Sequence, residues 1–261
     1  MHWHHISKTA FEDGSLADAV VVVPVGATEQ HGPHLPTGTD TLLADAMTQL
    51  ILGKTRSAKT VLFPTIAVAA SREHHDFPGS VWIETDVLSA QLMAIGRAVQ
   101  EAGIRRIVFV NAHGGNVPTL QTVCRQLRIT YGLVAVTAGW MTPGMPAVPD
   151  RLKYPEDIHG GFMETSVMLH FYPDLVDMTL AQDFVSSSVQ VAQDNTYLRT
   201  LGPVSMGWAT RDLNPSGAVG NAAAANAEAG REIAEICADA YATLLDEVAA
   251  YTPAFLDVDA R

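Results

Sequence analysis

The chain has 261 residues, 48% apolar and 17% charged, which supports a large buried core and excludes a disordered chain. Acidic residues outnumber basic ones 28 to 16, a net charge of −12, so the chain lacks the basic excess that non-specific nucleic-acid binding needs. Two cysteines, Cys124 and Cys237, are too few for a disulfide framework or a cysteine-built zinc site, and read as buried inert thiols.

The start, MHWHHISKTAFEDGS, lacks the basic-then-apolar order of a secretory signal. No later run approaches the roughly 18 uninterrupted apolar residues of a membrane helix, so a soluble cytoplasmic protein is expected. His2, His4 and His5 look like a metal cluster but are read as part of a mobile terminus. Ala19–Val25 is short, β-branched and apolar throughout, the pattern of a strand covered on both faces. Similar runs at Thr60–Ala69, Arg106–Val110 and Leu133–Thr137 predict three more strands. Between them, Asp40–Leu52 has helical spacing, Asp86–Ala102 runs from an Asp N-cap to Gly103, and Asn116–Tyr131 runs from an Asn N-cap to Gly132. Alternation of this kind predicts an α/β fold with a mostly parallel sheet covered by helices on both faces.

In the second half, Phe162–Phe171 reads as a helix stopped by Pro173, and Asn221–Tyr251 as a long C-terminal helix ended by Thr252-Pro253. Residues 174–218 show no clear period, and their length and Trp208 suit a pocket wall or a subunit contact. There is no internal repeat or linker, and residues 1–261 read as a single domain.

Three constellations carry chemistry. Thr28-Glu29-Gln30-His31 leaves the carboxyl end of the first strand, where ligands bind in open α/β sheets, and Asp40 opens the next helix. Glu29 and His31 lie two apart, so on an extended segment both point the same way. A Glu, a His and an Asp converging there suit Zn²⁺, Mn²⁺ or Fe²⁺. The plainer alternative is a polar loop with Asp40 as an N-cap. Asn111-Ala112-His113-Gly114-Gly115-Asn116 leaves a second strand and aims His113 at the same crevice, with phosphate binding at the helix start as its rival reading. In His159-Gly160-Gly161-Phe162-Met163-Glu164, Glu164 falls at a helix start with His159 just before it. These two could complete a two-metal site or act as general base and acid, or Glu164 could merely complement the helix dipole.

A bridging carboxylate can hold two ions about 3.5–4 Å apart, and Asp40 is the nearest further carboxylate to Glu29 and His31. Water on such ions loses its proton near neutral pH and becomes a nucleophile suited to an amide carbonyl. The loop Ser71–Gly79 is read as lying over the pocket, with His74 as a substrate contact and His75 solvated. His170 reads as a core or interface histidine, and Trp140 as packed.

In this order and spacing, PVGATEQHGPHLPTGTD, NAHGGN and HGGFMETSVML resemble the creatininase (creatinine amidohydrolase) family, and SREHHDFPG fits a further segment of it. The likeness runs from Ala19 to the C-terminal helix. It implies a three-layer αβα sandwich, a homo-oligomer (often a hexamer), and a hydrolase with two divalent metal ions, Zn, Mn or Fe. By motif, Glu29, His31, Asp40 and His113 fall on the family's metal ligands. Glu164 falls on a ligand or catalytic carboxylate, and His159 on a catalytic histidine. Two departures point away from creatinine as the substrate. Creatinine-hydrolysing members carry Glu where Gly115 stands, which leaves one metal dependent on Glu164. They also carry a Trp just before the histidine, where this chain has Lys153-Tyr154-Pro155-Glu156-Asp157-Ile158.

The leading expectation is therefore a metal-dependent amidohydrolase of a small, cyclic or formylated amide, acting by metal-bound hydroxide on the carbonyl. The alternatives are a peptidase acting on a modified peptide in cofactor maturation, a hydrolase of a cyclic ketone in sugar or inositol catabolism, and a non-catalytic phosphate- or nucleotide-binding module. Small-molecule substrate, no nucleic acid and no membrane are the expected partner relations.

Overall fold

A computed structural model describes residues 1–154 and 156–253. Pro155, within the stretch that departs from creatinine-hydrolysing members, lies outside them. A four-stranded sheet has the order β2-β1-β3-β4, with β1 at Val20–Val25, β2 at Thr60–Leu62, β3 at Arg106–Asn111 and β4 at Val134–Gly139. All three pairings are parallel, and β1 runs beside β3 in register from Val20↔Arg106 to Val25↔Asn111.

The strand side chains sort by parity, as a sheet buried on both faces requires. Val20, Val22, Val108 and Val110 face one core, and Val21, Val23, Ile107 and Phe109 face the other. The first core is covered by α2 (Thr39–Lys54), by α5 (Phe162–Phe171) and by α8 (Ala227–Ala250), the other five helices of chain-order numbering being α1 (Lys8–Glu12), α3 (Thr85–Glu101), α4 (Val117–Tyr131), α6 (Ser188–Asp194) and α7 (Thr210–Leu213). The second core is covered by α3 and α4 through Leu88, Leu92, Val99, Leu120, Val123 and Leu127. The result is the parallel sheet covered by helices on both faces that the alternation predicts, the three-layer αβα arrangement implied by the resemblance.

The chain passes from β1 through α2 to β2 on one side, then through α3 to β3 on the other side of β1. The switch point therefore lies between the carboxyl ends of β1 and β3, where a crevice opens. Tyr241 of α8 turns its hydroxyl to the carbonyls of Phe109 and Ala138, tying the helix to β3 and β4. At the opposite end of β3, the Arg106 guanidinium donates to the carbonyls of Val248 and Tyr251 where α8 ends.

Four expectations change. The predicted strand Thr60–Ala69 stops at Leu62, because Pro64 has no N–H to offer, and pairing resumes only as a bridge from Ile66 to Val25. The third helix begins at Thr85 with Glu84 in the N-cap position, so Asp86 lies in the first turn. The long C-terminal helix begins at Ala227, where the Asn226 side chain accepts from Ala229 N, while Asn221 caps a separate short turn. The first residues are docked, with Leu62 N donating to Met1 O and Trp3 packed against Phe11 and Phe63.

The cysteines are free thiols pushed up to about 12 by burial, and Trp140 is in the core. No helix among the described residues is long and apolar enough to cross a membrane.

Packing of α5 on α8 depends on Gly230. A Cβ there would stand 1.8 Å from Ser166 O and 2.8 Å from Val167 N, both backbone atoms. Gly230→Ala is expected to cost about 1–3 kcal/mol through overpacking. Gly53→Ala, in α2 with nothing within 4 Å of the new methyl, should instead add about 0.5 kcal/mol. Urea midpoints of the two variants check both signs.

Candidate metal centre

The loop after β1 brings Glu29 and His31 into the crevice with no solvent exposure, and Asp40 in the first turn of α2 folds back beside them. His113 follows β3 and is also buried. Glu164, half-buried in the first turn of α5, and His159 complete the ring. The structure thus brings together all six residues singled out in the sequence. Three overlapping sets place their ligand atoms within 4.8 Å of one another, namely Glu29/His31/Asp40, His31/His159/Glu164 and Glu29/His74/His159. His159, expected as a catalytic histidine, therefore stands among the potential metal ligands as well.

Backbone carbonyls fix three of the four rings. His31 Nδ1 donates to Glu29 O at 3.0 Å, leaving Nε2 facing Asp40 Oδ1 at 3.1 Å. His113 Nε2 donates to Ala70 O at 2.8 Å, leaving Nδ1 facing Glu29 Oε1 at 3.1 Å and Asp40 Oδ2 at 3.3 Å. His159 Nε2 donates to Gln30 O at 2.7 Å, leaving Nδ1 facing Glu29 Oε1 at 3.6 Å. A ring whose outer nitrogen carries the proton presents a free lone pair at its inner nitrogen, the form in which imidazole binds metals.

His74 differs. The Gln30 amide is oriented by donating to Gly217 O and accepting from Gly32 N, so its nitrogen also donates to His74 Nδ1 at 2.9 Å. The His74 proton then lies on Nε2, which faces Glu29 Oε1 at 3.2 Å. His74 thus turns a protonated nitrogen, rather than a lone pair, towards the carboxylate. The sequence reading placed it over the pocket as a substrate contact and gave no hint that Gln30, Gly217 and Thr210 set its ring. His75, by contrast, is exposed and paired with Asp76, as expected. His170 is half-buried in α5 and packs against Phe171, consistent with a core or interface role.

A cation fits this donor set. Glu29 Oε1, Glu29 Oε2 and Asp40 Oδ2 are buried and accept no aligned hydrogen bond, although imidazole nitrogens lie 3.1–3.6 Å from Glu29 Oε1. Each unsatisfied buried acceptor costs about 1–3 kcal/mol, so oxygen and nitrogen lone pairs converging on one space suit a divalent ion. Asp40 faces His31 with one oxygen and His113 with the other, the placement a bridging carboxylate requires.

The charges are strongly perturbed. Burial opposes the charge on His31, yet the Asp40 and Glu164 carboxylates outweigh it and push its pKa up to about 9. Burial likewise opposes the charge on His113, but Glu29 and Asp40 raise it well above the usual range. Glu29 is held well below the ordinary carboxyl range, since His113 and His74 outweigh its burial. Burial, reinforced by His31 and His74, keeps His159 neutral. Burial pushes Glu164 up to about 7 despite His31 and the hydrogen bond from Gly160 N, with Asp40 adding to the rise.

The cleft above these groups has a volume of about 540 Å³. Its far wall is Leu201, Met206, Trp208 and Leu213, supplied by the stretch without clear period. Asn116 sits at the N-cap position of α4 but does not cap it. Its side chain donates to Gly26 O and accepts from Ala70 N, tying together the loops that carry Glu29, His74 and His113.

This fold is shared with known proteins. The family model described as creatinine amidohydrolase matches residues 4–245, and the chain belongs to that family, the creatininases. The mycofactocin precursor peptide peptidase of Mycolicibacterium smegmatis (strain ATCC 700084 / mc(2)155) is 43% identical over 158 residues, 59% of each chain, so the match spans under two thirds of that relative's length. Creatinine amidohydrolase of Pseudomonas putida is 33% identical over 187 residues, 65% of this chain and 70% of the relative. The solved structure of a mutant creatininase of Zn-Zn type has a TM-score of 0.74 at 26% identity, covering 97% of this chain and 98% of that one.

A raised His31 pKa has a defined consequence for stability. In protein stripped with a chelator, its contribution is fully present below the unfolded value near 6.5 and is lost as pH rises through about 9. Urea unfolding across pH 6–10 (the range of roughly neutral to basic buffers) should show this loss, and Asp40→Asn, by lowering the His31 pKa, should move the loss to lower pH.

Proposed function

We propose that this protein is a divalent-metal-dependent amide hydrolase that trims the end of a peptide and takes an apolar residue into its cleft. The observation that carries the reading is the cleft. Its volume of about 540 Å³ is in the range of drug-sized ligands, roughly 300–1,000 Å³, and is larger than a small lactam ring fills. A second cleft of about 290 Å³ adjoins it, sharing Asp157, Ile158 and Leu201 as lining. The first is lined by Asp40, Glu73, Asp157 and Glu164 with no Lys or Arg, which disfavours a peptide carboxylate beside the scissile bond. The 43% identity to a precursor-peptide peptidase supports the same reading.

Glu29, His31, Asp40 and His113 would hold the metal, Asp40 turning one oxygen towards His31 and the other towards His113. Bound there, the metal would polarise the carbonyl and lower the pKa of water. The chain's own groups do the rest. Ile158, Val219 and Trp208 exclude water from the side of the cleft facing an apolar side chain. Glu164, poised near neutrality and fixed by the N–H of Gly160, accepts the proton of the attacking water and delivers it to the leaving nitrogen. His159, neutral and held by Gln30 O, turns an unprotonated nitrogen to the same space.

The test incubates the zinc- or manganese-loaded protein with peptides ending in apolar residues, with creatinine and with formamides, followed by mass spectrometry. Peptide shortening is expected. Glu164→Gln should lower kcat by roughly 10²–10⁴ with little change in KM. Asp40→Ala should abolish both metal uptake and activity. Turnover of creatinine or formamides without peptide cleavage would overturn the peptide reading.

A further inference from the structure

We propose that Glu73 is a positioning residue of the metal centre, whose carboxylate, seated in the space left by Gly115, fixes the His113 ring with Nδ1 aimed at Glu29 and Asp40. The inference deepens the metal-dependent reading above and rests on it. Glu73 lies in a short 3-10 turn, Arg72–His74, from the loop after β2. Its Oε1 is 3.1 Å from His113 Nε2, the nitrogen that also donates to Ala70 O. Nε2 thus faces two groups that can only accept, a carbonyl and a carboxylate, and must carry the proton. In the singly protonated ring the lone pair is then on Nδ1, toward Glu29 and Asp40. A carboxylate behind a ligating imidazole fixes its orientation and raises its basicity, and the loss of such a partner typically weakens metal binding 10–100-fold.

Gly115 is what admits this contact. A Cβ there would stand 2.2 Å from Glu73 Oε1, 2.4 Å from His113 Nε2 and 2.6 Å from Ala70 O. A Cβ at 115 would therefore take the place of the Glu73 carboxylate and would also press on the His113 ring and the Ala70 carbonyl. At the neighbouring Gly114 a Cβ meets nothing within 4 Å, so the requirement belongs to position 115 alone. Among the described residues Glu73 pairs with His113 and with no Lys or Arg, and the neighbouring Arg72 pairs with Glu84. The same turn presents His74 to Glu29, so one loop supports two of the three imidazoles that face that carboxylate. A Glu missing after His113 thereby has a counterpart contributed by another loop, acting behind the histidine.

The test measures zinc affinity by competition with a chromophoric chelator, and the visible spectrum of the cobalt-loaded protein. Glu73→Ala should weaken zinc binding about 10–100-fold and shift the cobalt bands, with Glu73→Gln between it and the wild type. Gly115→Ala should weaken zinc binding at least as much as Glu73→Ala, because the new methyl displaces the carboxylate and presses on the His113 ring as well. Gly114→Ala should bind zinc within about twofold of the wild type. The melting temperature of chelated Glu73→Ala should equal that of the chelated wild type, which separates positioning from folding. Wild-type zinc affinity retained in Glu73→Ala would overturn this inference alone. Wild-type protein that takes up no ion would overturn the metal reading and this inference together.

Discussion

Burial of negative charge between the end of β1 and the first turn of α2 is the constraint on which the rest of the site depends. Glu29 and Asp40 are withdrawn from water, and three of their oxygens accept no aligned hydrogen bond. Such groups are tolerable only beside compensating positive charge. The surroundings answer that demand geometrically: the carbonyls of Glu29, Ala70 and Gln30 each hold one imidazole by its outer nitrogen. The rings are thus aimed before anything binds, and protons on His31 and His113 balance the carboxylates when no metal does so.

This arrangement follows from the order of the strands. Because β1 lies between β2 and β3, the loops that leave its carboxyl end and that of β3 open onto one crevice. Helices α2 and α5 approach the same crevice by their first turns, where Asp40 and Glu164 are placed. Four separate segments can therefore meet without any of them leaving regular structure for long.

Much of this was legible in the sequence. Runs of β-branched residues fix β1, β3 and β4, and the segments that follow β1 and β3 carry most of the candidate ligands. What was not legible depends on contacts between distant segments. Nothing local to Glu73 signals that Gly115, in another loop, makes room for it. His74 reads as a loop histidine until Gln30, itself oriented by Gly217 and Gly32, assigns its proton. Asn116 has the residue type of an N-cap, yet tertiary partners at Gly26 and Ala70 claim its side chain. The break after β2 was visible as Pro64, but the length of apolar sequence around it outweighed that signal.

The two walls of the cleft have different origins. Its floor is built from strand ends and first helical turns, locked to the core. Much of its far wall comes from residues 201–213, where Trp208 is secured by a hydrogen bond to Thr200 O within the same stretch. Thr210 joins that wall to the floor through His74, but Leu201, Met206 and Trp208 touch only the cleft side. The size and shape of the opening can therefore be altered at those three side chains separately from the carboxylate–imidazole floor, which is bound to the packing of the sheet.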